Sequence, residues 1–146
     1  MKVVLQRVKT ANCVVDGKIV NEINKGYLLL IGFTHTDTIE NVKKMAKKIS
    51  SLRVFTDEFD KMNLSITNVN GEILAISQFT LYADPYSGNR PSFINAMKPD
   101  LADKLYEEFV KIMNDEYQII TKKGVFGAHM ELNTVCDGPV TINLEF

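Results

Sequence analysis

An α+β fold, with largely antiparallel β-sheets and two amphipathic helices packed on one side, is predicted by three features of the 146-residue chain. Many short β-type runs are joined by tight turns marked by Gly, Asn or Asp. Two segments carry apolar residues at helical spacing. One stretch, residues 72–82, opens with an unbroken apolar run, which in a strand means that both faces are covered.

Composition bounds the class. A hydrophobic content of 45% with 24% charged residues fits one domain over residues 1–146, with a real core and no linker. Seventeen basic against eighteen acidic residues leave almost no net charge, so the whole-protein field does not mark a nucleic-acid binder. No apolar run reaches the length of a signal-peptide core or a membrane span, and the expected location is the cytoplasm. Cys13 and Cys136 lie far apart with no CxxC spacing and read as reduced thiols.

In order, residues 3–8 form a strand in which Arg7 shares a face with Val3 and Leu5. Either this Arg snorkels to water at a strand end, or it is a buried fork that holds carbonyls or a carboxylate. Asp16-Gly17 sits between two β runs as a type I′ hairpin turn. Residues 26–33 are a buried strand bounded by glycines. A capping-box-like start at Asp37 and Glu40 opens a helix whose buried stripe is Ile39, Val42, Met45, Ala46, Ile49 and Leu52. Its outer face carries Lys43, Lys44, Lys47 and Lys48, either a solvated surface or a phosphate-binding one. Residues 53–55 return as a short strand, 56–65 are polar and irregular, and 68–71 turn into the central stretch.

Within residues 72–82 the apolar run passes without a break into Ser77, Gln78, Phe79, Thr80, Leu81 and Tyr82. Strand alternation puts Ser77, Phe79 and Leu81 on one face, with Gln78, Thr80 and Tyr82 on the other. A buried amide or hydroxyl without a partner costs on the order of 1–3 kcal/mol. These groups therefore need protein, water or a ligand, unless the strand simply runs out to an exposed edge. The loop at 83–93, with two prolines, a glycine and Arg90, has the length of functional loops. Pro99-Asp100 starts a second helix with Leu101, Leu105, Phe109, Ile112 and Met113 as its buried stripe. Strands are then expected at 117–121, 129–135 and 140–146, with turns at 122–128 and at 136–139.

No phosphate loop, GxGxxG, HExxH or Cys/His cluster is present, so neither metal nor cofactor is expected. His35 and His129 are the only histidines, and an unassisted Thr80 or Ser77 hydroxyl is a weak nucleophile. Gly138-Pro139 is either a plain tight turn or a rigid cis turn that could gate a site.

Ser77-Gln78-Phe79-Thr80-Leu81, Gly88-Asn89-Arg90-Pro91-Ser92-Phe93 and Asp137-Gly138-Pro139-Val140-Thr141 together resemble the D-aminoacyl-tRNA deacylases, and Leu5-Gln6-Arg7-Val8 and Lys61-Met62-Asn63-Leu64-Ser65 match as well. The resemblance spans essentially the whole chain. It implies a barrel-like homodimer, with the active site at the subunit interface, that hydrolyses the ester of D-aminoacyl-tRNA and of glycyl-tRNA mischarged on tRNA(Ala), without cofactor. It implies a pocket lined by Ser77, Gln78, Phe79 and Thr80. A cis Gly138-Pro139 would reach in from the other subunit to select chirality, with Arg7 fixing that turn. Phe126, Ala102 and Met130 would surround the adenosine and aminoacyl group. His129 and Cys136 depart from the residue types expected of the family. Because an aminoacyl ester is already activated, the expected mechanism positions a water and stabilises the oxyanion with backbone N–H groups near Phe79 and Thr80, the substrate's own 2′-OH assisting. Lys43, Lys44, Lys47, Lys48, Lys122, Lys123 and Arg90 are the candidate contacts for the acceptor stem. A non-catalytic RNA-binding module and a metabolite-binding dimer without turnover are the rival readings, and both would leave bound substrate intact.

Overall fold

The computed structural model describes residues 1–86 and 88–146. Its first strand, β1 (Lys2–Val15), runs straight through both β runs read near the N-terminus. It can be that long because it is paired throughout. Its first half bonds antiparallel to β3 (Gly26–Gly32), its second half to β2 (Lys18–Ile23), and β8 (Glu131–Glu145) also follows it almost from end to end. Asp16 and Gly17 turn β1 into β2 with φ of 51° and 72°, the two left-handed conformations of a type I′ turn.

Beyond β3 the sheet departs from the antiparallel expectation. β6 (Glu72–Ser77) pairs parallel with β3, and β7 (Thr121–Lys123) parallel with β6. Parallel neighbours need long crossovers, and the two helices lie in them. α1 (Ile39–Ser51) lies in the first, together with the hairpin of β4 (Arg53–Thr56) and β5 (Met62–Ser65), and α2 (Pro99–Asp115) lies in the second. The result is an α+β architecture with a nearly closed, barrel-like sheet and two helices. No helix among the described residues is long and apolar enough to cross a membrane.

β6 lies between two apolar clusters, as its unbroken run predicts. Ile73 and Ala75 belong to the cluster shared with both helices. Leu74 and Ile76 belong to the other, with Val8, Cys13 and Leu28. Burying each such large side chain stabilises the fold by roughly 1.5–3 kcal/mol.

Several local expectations are corrected. Residues 56–65 are not wholly irregular: Phe55 pairs with Leu64 and Thr56 with Met62. α1 is capped by Thr38, whose N–H donates to Asn41 Oδ1 at 3.0 Å. Asp37 instead accepts from the Met1 ammonium at 2.5 Å and from the Thr34 N–H at 2.8 Å. On α2 the stripe begins at Ala102 and Tyr106 rather than Leu101, which is 48% exposed. Tyr106 fixes that rotation by donating its hydroxyl to the Ala75 carbonyl at 2.8 Å. The strand expected at 117–121 begins only at Thr121.

Two corrections shape the site. The central strand stops at Ser77, and residues Phe79–Tyr82 form a 3-10 turn. Gly32 permits it, since a Cβ there would meet the Gln78 carbonyl oxygen at 2.8 Å. The turn expected at 136–139 does not divide two strands. β8 continues through it, with Cys136 opposite Val8 and Thr141 opposite Gln6, so the surplus residues bulge outward. The Gly138-Pro139 bond in this bulge is cis, as the resemblance implies.

Candidate active site

Where β6 gives way to the 3-10 turn, a cavity of about 660 Å³ opens. Ser77, Gln78 and Phe79 supply its polar corner, while Ile76, Met130 and Leu132 belong to its apolar lining. The first bond of the 3-10 turn runs from the Leu81 N–H to the Gln78 carbonyl at 3.3 Å. The N–H groups of Phe79 and Thr80 precede it and have no acceptor within the turn. They are thus two adjacent backbone donors, one on the lining residue Phe79 and one on the residue that follows it, the arrangement that can hold a developing oxyanion.

A wall from residues 93–98 faces this corner. Met97 N–H donates to the Phe33 carbonyl (2.9 Å), Thr34 Oγ1 to the Asn95 carbonyl (2.7 Å), and His35 Nε2 lies 2.6 Å from the Ile94 carbonyl oxygen. The preceding loop is closed at its base by paired backbone bonds between Asp84 and Ser92. Across the mouth the Phe79 and Phe93 rings meet edge to face at 5.0 Å, although Phe79 is still 55% exposed.

Of the residues expected at the site, Ser77, Gln78, Phe79, Ala102, Phe126 and Met130 come together in the cavity lining. Thr80 does not line it. Its hydroxyl lies outside the lining, 2.5 Å from the Gln78 side-chain nitrogen. The strand register had put these two groups side by side on one face; the 3-10 turn joins them instead by a local hydrogen bond.

Arg7, Gly138 and Pro139 lie together elsewhere. Arg7, only 7% exposed, is the buried fork rather than a snorkelling side chain. It donates to the carbonyls of Asp137 and Val54 and pairs with the Asp137 carboxylate at 3.1 Å. Gly138 has φ +122°, and a Cβ there would meet Val140 Cγ2 at 2.8 Å and Arg7 Nη2 at 3.4 Å. Gly138 and Pro139 are exposed and do not line this chain's own cavity.

Phe33, Ile94, Met97 and Lys98 were not foreseen in the lining. The length of the 83–93 loop marked the neighbourhood, but no spacing rule ties residues 93–98 to β6. Cys13 belongs to the apolar cluster of Ile76, Met130 and Leu132, with Sγ 3.6 Å from where a Gly124 Cβ would lie, and burial pushes its thiol pKa up. It is therefore held protonated and is no candidate nucleophile. Among the described residues no group of three or more His, Cys, Asp or Glu could hold a metal.

The barrel-like sheet with its two helices is a fold shared with solved proteins. A structure titled c-Myc DNA Unwinding Element Binding Protein superposes with a TM-score of 0.94 at 39% identity, covering 100% of this chain and 99% of that one. A probable eukaryotic D-amino acid tRNA deacylase superposes at 0.82 over 98% of each chain; at 17% identity it supports the fold alone. Residues 4–145 match the family model described as D-Tyr-tRNA(Tyr) deacylase. The D-aminoacyl-tRNA deacylase of Fusobacterium nucleatum is 52% identical over 99% of this chain and 95% of its own length, and that of an Exiguobacterium species is 52% identical over 99% and 98%. The chain belongs to the D-Tyr-tRNA(Tyr) deacylase family, and with it to the hydrolases that act on aminoacyl-tRNA.

Proposed function

We propose that this protein hydrolyses the ester that joins a D-amino acid, or glycine mischarged on tRNA(Ala), to the terminal adenosine of tRNA. The observation that carries the reading is the cavity corner where Ser77 and Gln78 lead into two adjacent N–H groups without acceptors in their turn. Water attacks the ester carbonyl carbon, and the Phe79 and Thr80 N–H groups receive the charge that forms on the carbonyl oxygen. The bond to the ribose 3′ oxygen then breaks, that oxygen takes up a proton, and the free amino acid leaves as its carboxylate. Among the described residues no basic side chain bonds the Thr80 hydroxyl, which favours assistance by the substrate's 2′-OH over a threonine nucleophile.

Chirality follows from shape in this reading. The exposed Gly138 and Pro139 of a second copy enter the cavity and occupy the space an L side chain would need. A D side chain clears them, and so does glycine. Two observations support the homodimer with a shared site: the Arg7-braced bulge lies away from its own cavity, and Phe79, Phe93 and Ile94 leave an apolar mouth exposed. The setting is the cytoplasm, where tRNA is charged.

The test is deacylation of D- and L-aminoacyl-tRNA carrying the same side chain, with glycyl-tRNA(Ala) alongside. Release from the D and glycyl esters only is the expected result. Survival of all three while tRNA still binds would replace the enzyme with an RNA-binding module.

A further inference from the structure

Resting on that reading, we propose that Lys98 holds a backbone phosphate of the single-stranded 3′ end as the polynucleotide leaves the cavity. An adenosine carrying an aminoacyl ester has no negative charge of its own. Electrostatic attraction between the protein and this end of the polynucleotide must then come through its phosphates. The lining is apolar or neutral except for Lys98 and the imidazole of His129.

Lys98 is the better placed of the two for a phosphate. Its backbone is pinned on both sides: the N–H of neighbouring Met97 is bonded to the Phe33 carbonyl, and its own carbonyl accepts from the Leu101 and Ala102 N–H groups at 3.1 and 3.0 Å. Its side chain is exposed and, among the described residues, has neither hydrogen bond nor ion pair. A fixed root with a free ammonium at a cavity mouth suits a point-charge phosphate contact. Three of the lysines considered for tRNA are already engaged, Lys43 with Glu40, Lys122 with Glu72 and Lys123 with Glu107, while Lys44, Lys47 and Lys48 lie on α1 and do not line the cavity. Asp100, two residues on, is the nearest acidic residue in the chain and is exposed to solvent.

The experiment compares two D-esters of the same amino acid, one on tRNA and one on adenosine, which carries no phosphate. Wild type, Lys98→Ala, Lys98→Glu and Lys98→Arg are assayed, with thermal melts to verify folding. The expected result is a KM for the tRNA ester raised about three- to tenfold in Lys98→Ala and further in Lys98→Glu, with kcat little changed and Arg restoring binding. The advantage of the tRNA ester over the adenosine ester shrinks accordingly, and the salt dependence of kcat/KM flattens by about 0.7 in log–log slope. Equal losses on both esters, or none on either, would overturn the phosphate contact while leaving the hydrolase reading in place. Failure of the wild type to cleave either ester would overturn that reading and this inference with it.

Discussion

The side-chain nitrogen of Gln78 lies 2.5 Å from Thr80 Oγ1 and donates to it, so the Thr80 hydroxyl is tied to a neighbour that cannot act as a base. Among the described residues that hydroxyl has no basic partner that would make it a nucleophile.

Thr80→Ala should therefore keep turnover within about tenfold of wild type in single-turnover deacylation, because removing an essential nucleophile costs many orders of magnitude. Near-complete loss, with an unchanged circular dichroism spectrum, would return Thr80 to the nucleophile's role.

Arg7 binds two carbonyls and one carboxylate from a buried position beneath the Gly138 bulge. Arg7→Leu strands the Val54 and Asp137 carbonyls, at about 1–3 kcal/mol for each group left unpaired. Urea denaturation should register that loss, and D-over-L selectivity should drop because the bulge is no longer braced. Lys in its place cannot reproduce the fork and should recover only part of both. Unaltered stability in Arg7→Leu would refute the account.

The Met1 ammonium and Asp37 form an ion pair with side-chain exposures of 0% and 2%. Removing one partner of such a pair leaves a buried charge, so Asp37→Ala should cost about 3–5 kcal/mol in chemical denaturation. Asp37 also holds the Thr34 N–H, and Thr34 braces the 93–98 wall. The variant should accordingly lose activity under conditions where it is still folded.

Burial pushes the phenol pKa values of Tyr27, Tyr82 and Tyr106 above the ordinary tyrosine range. In the unfolded chain these groups ionise near pH 10, whereas in the native state they stay protonated, so unfolding releases protons there. Their contribution to stability is complete below about pH 10 and is lost as the pH rises beyond it. Absorbance at 295 nm should show these phenols ionising together with unfolding; ionisation while the far-ultraviolet spectrum is still native would contradict the burial.

The sequence alone determined the elements whose signals are local. The Asp16-Gly17 turn follows from two residues that tolerate positive φ, the buried β6 from an unbroken apolar run, and each helix from its 3.6-residue period. The motif around Ser77 and Gln78 and its resemblance to the deacylases were equally legible. Tertiary structure decided what depends on partners distant in the chain. β6 ends at Ser77 because Gln78 bonds to Ile31 and Gly32 makes room for the 3-10 turn, neither of which lies in the segment itself. Thr80 consequently leaves the face that strand alternation assigned to it. β8 runs unbroken through Gly138 because β1 offers hydrogen bonds on both sides of the bulge, and α2 is rotated onto Ala102 by the bond from Tyr106 to Ala75. Lys98 reaches the cavity only because Phe33 and Thr34 tie residues 95–97 across from β3. A period or a turn signal reports how a segment folds, but which neighbour supplies its last hydrogen bond is settled by the packing of the whole chain.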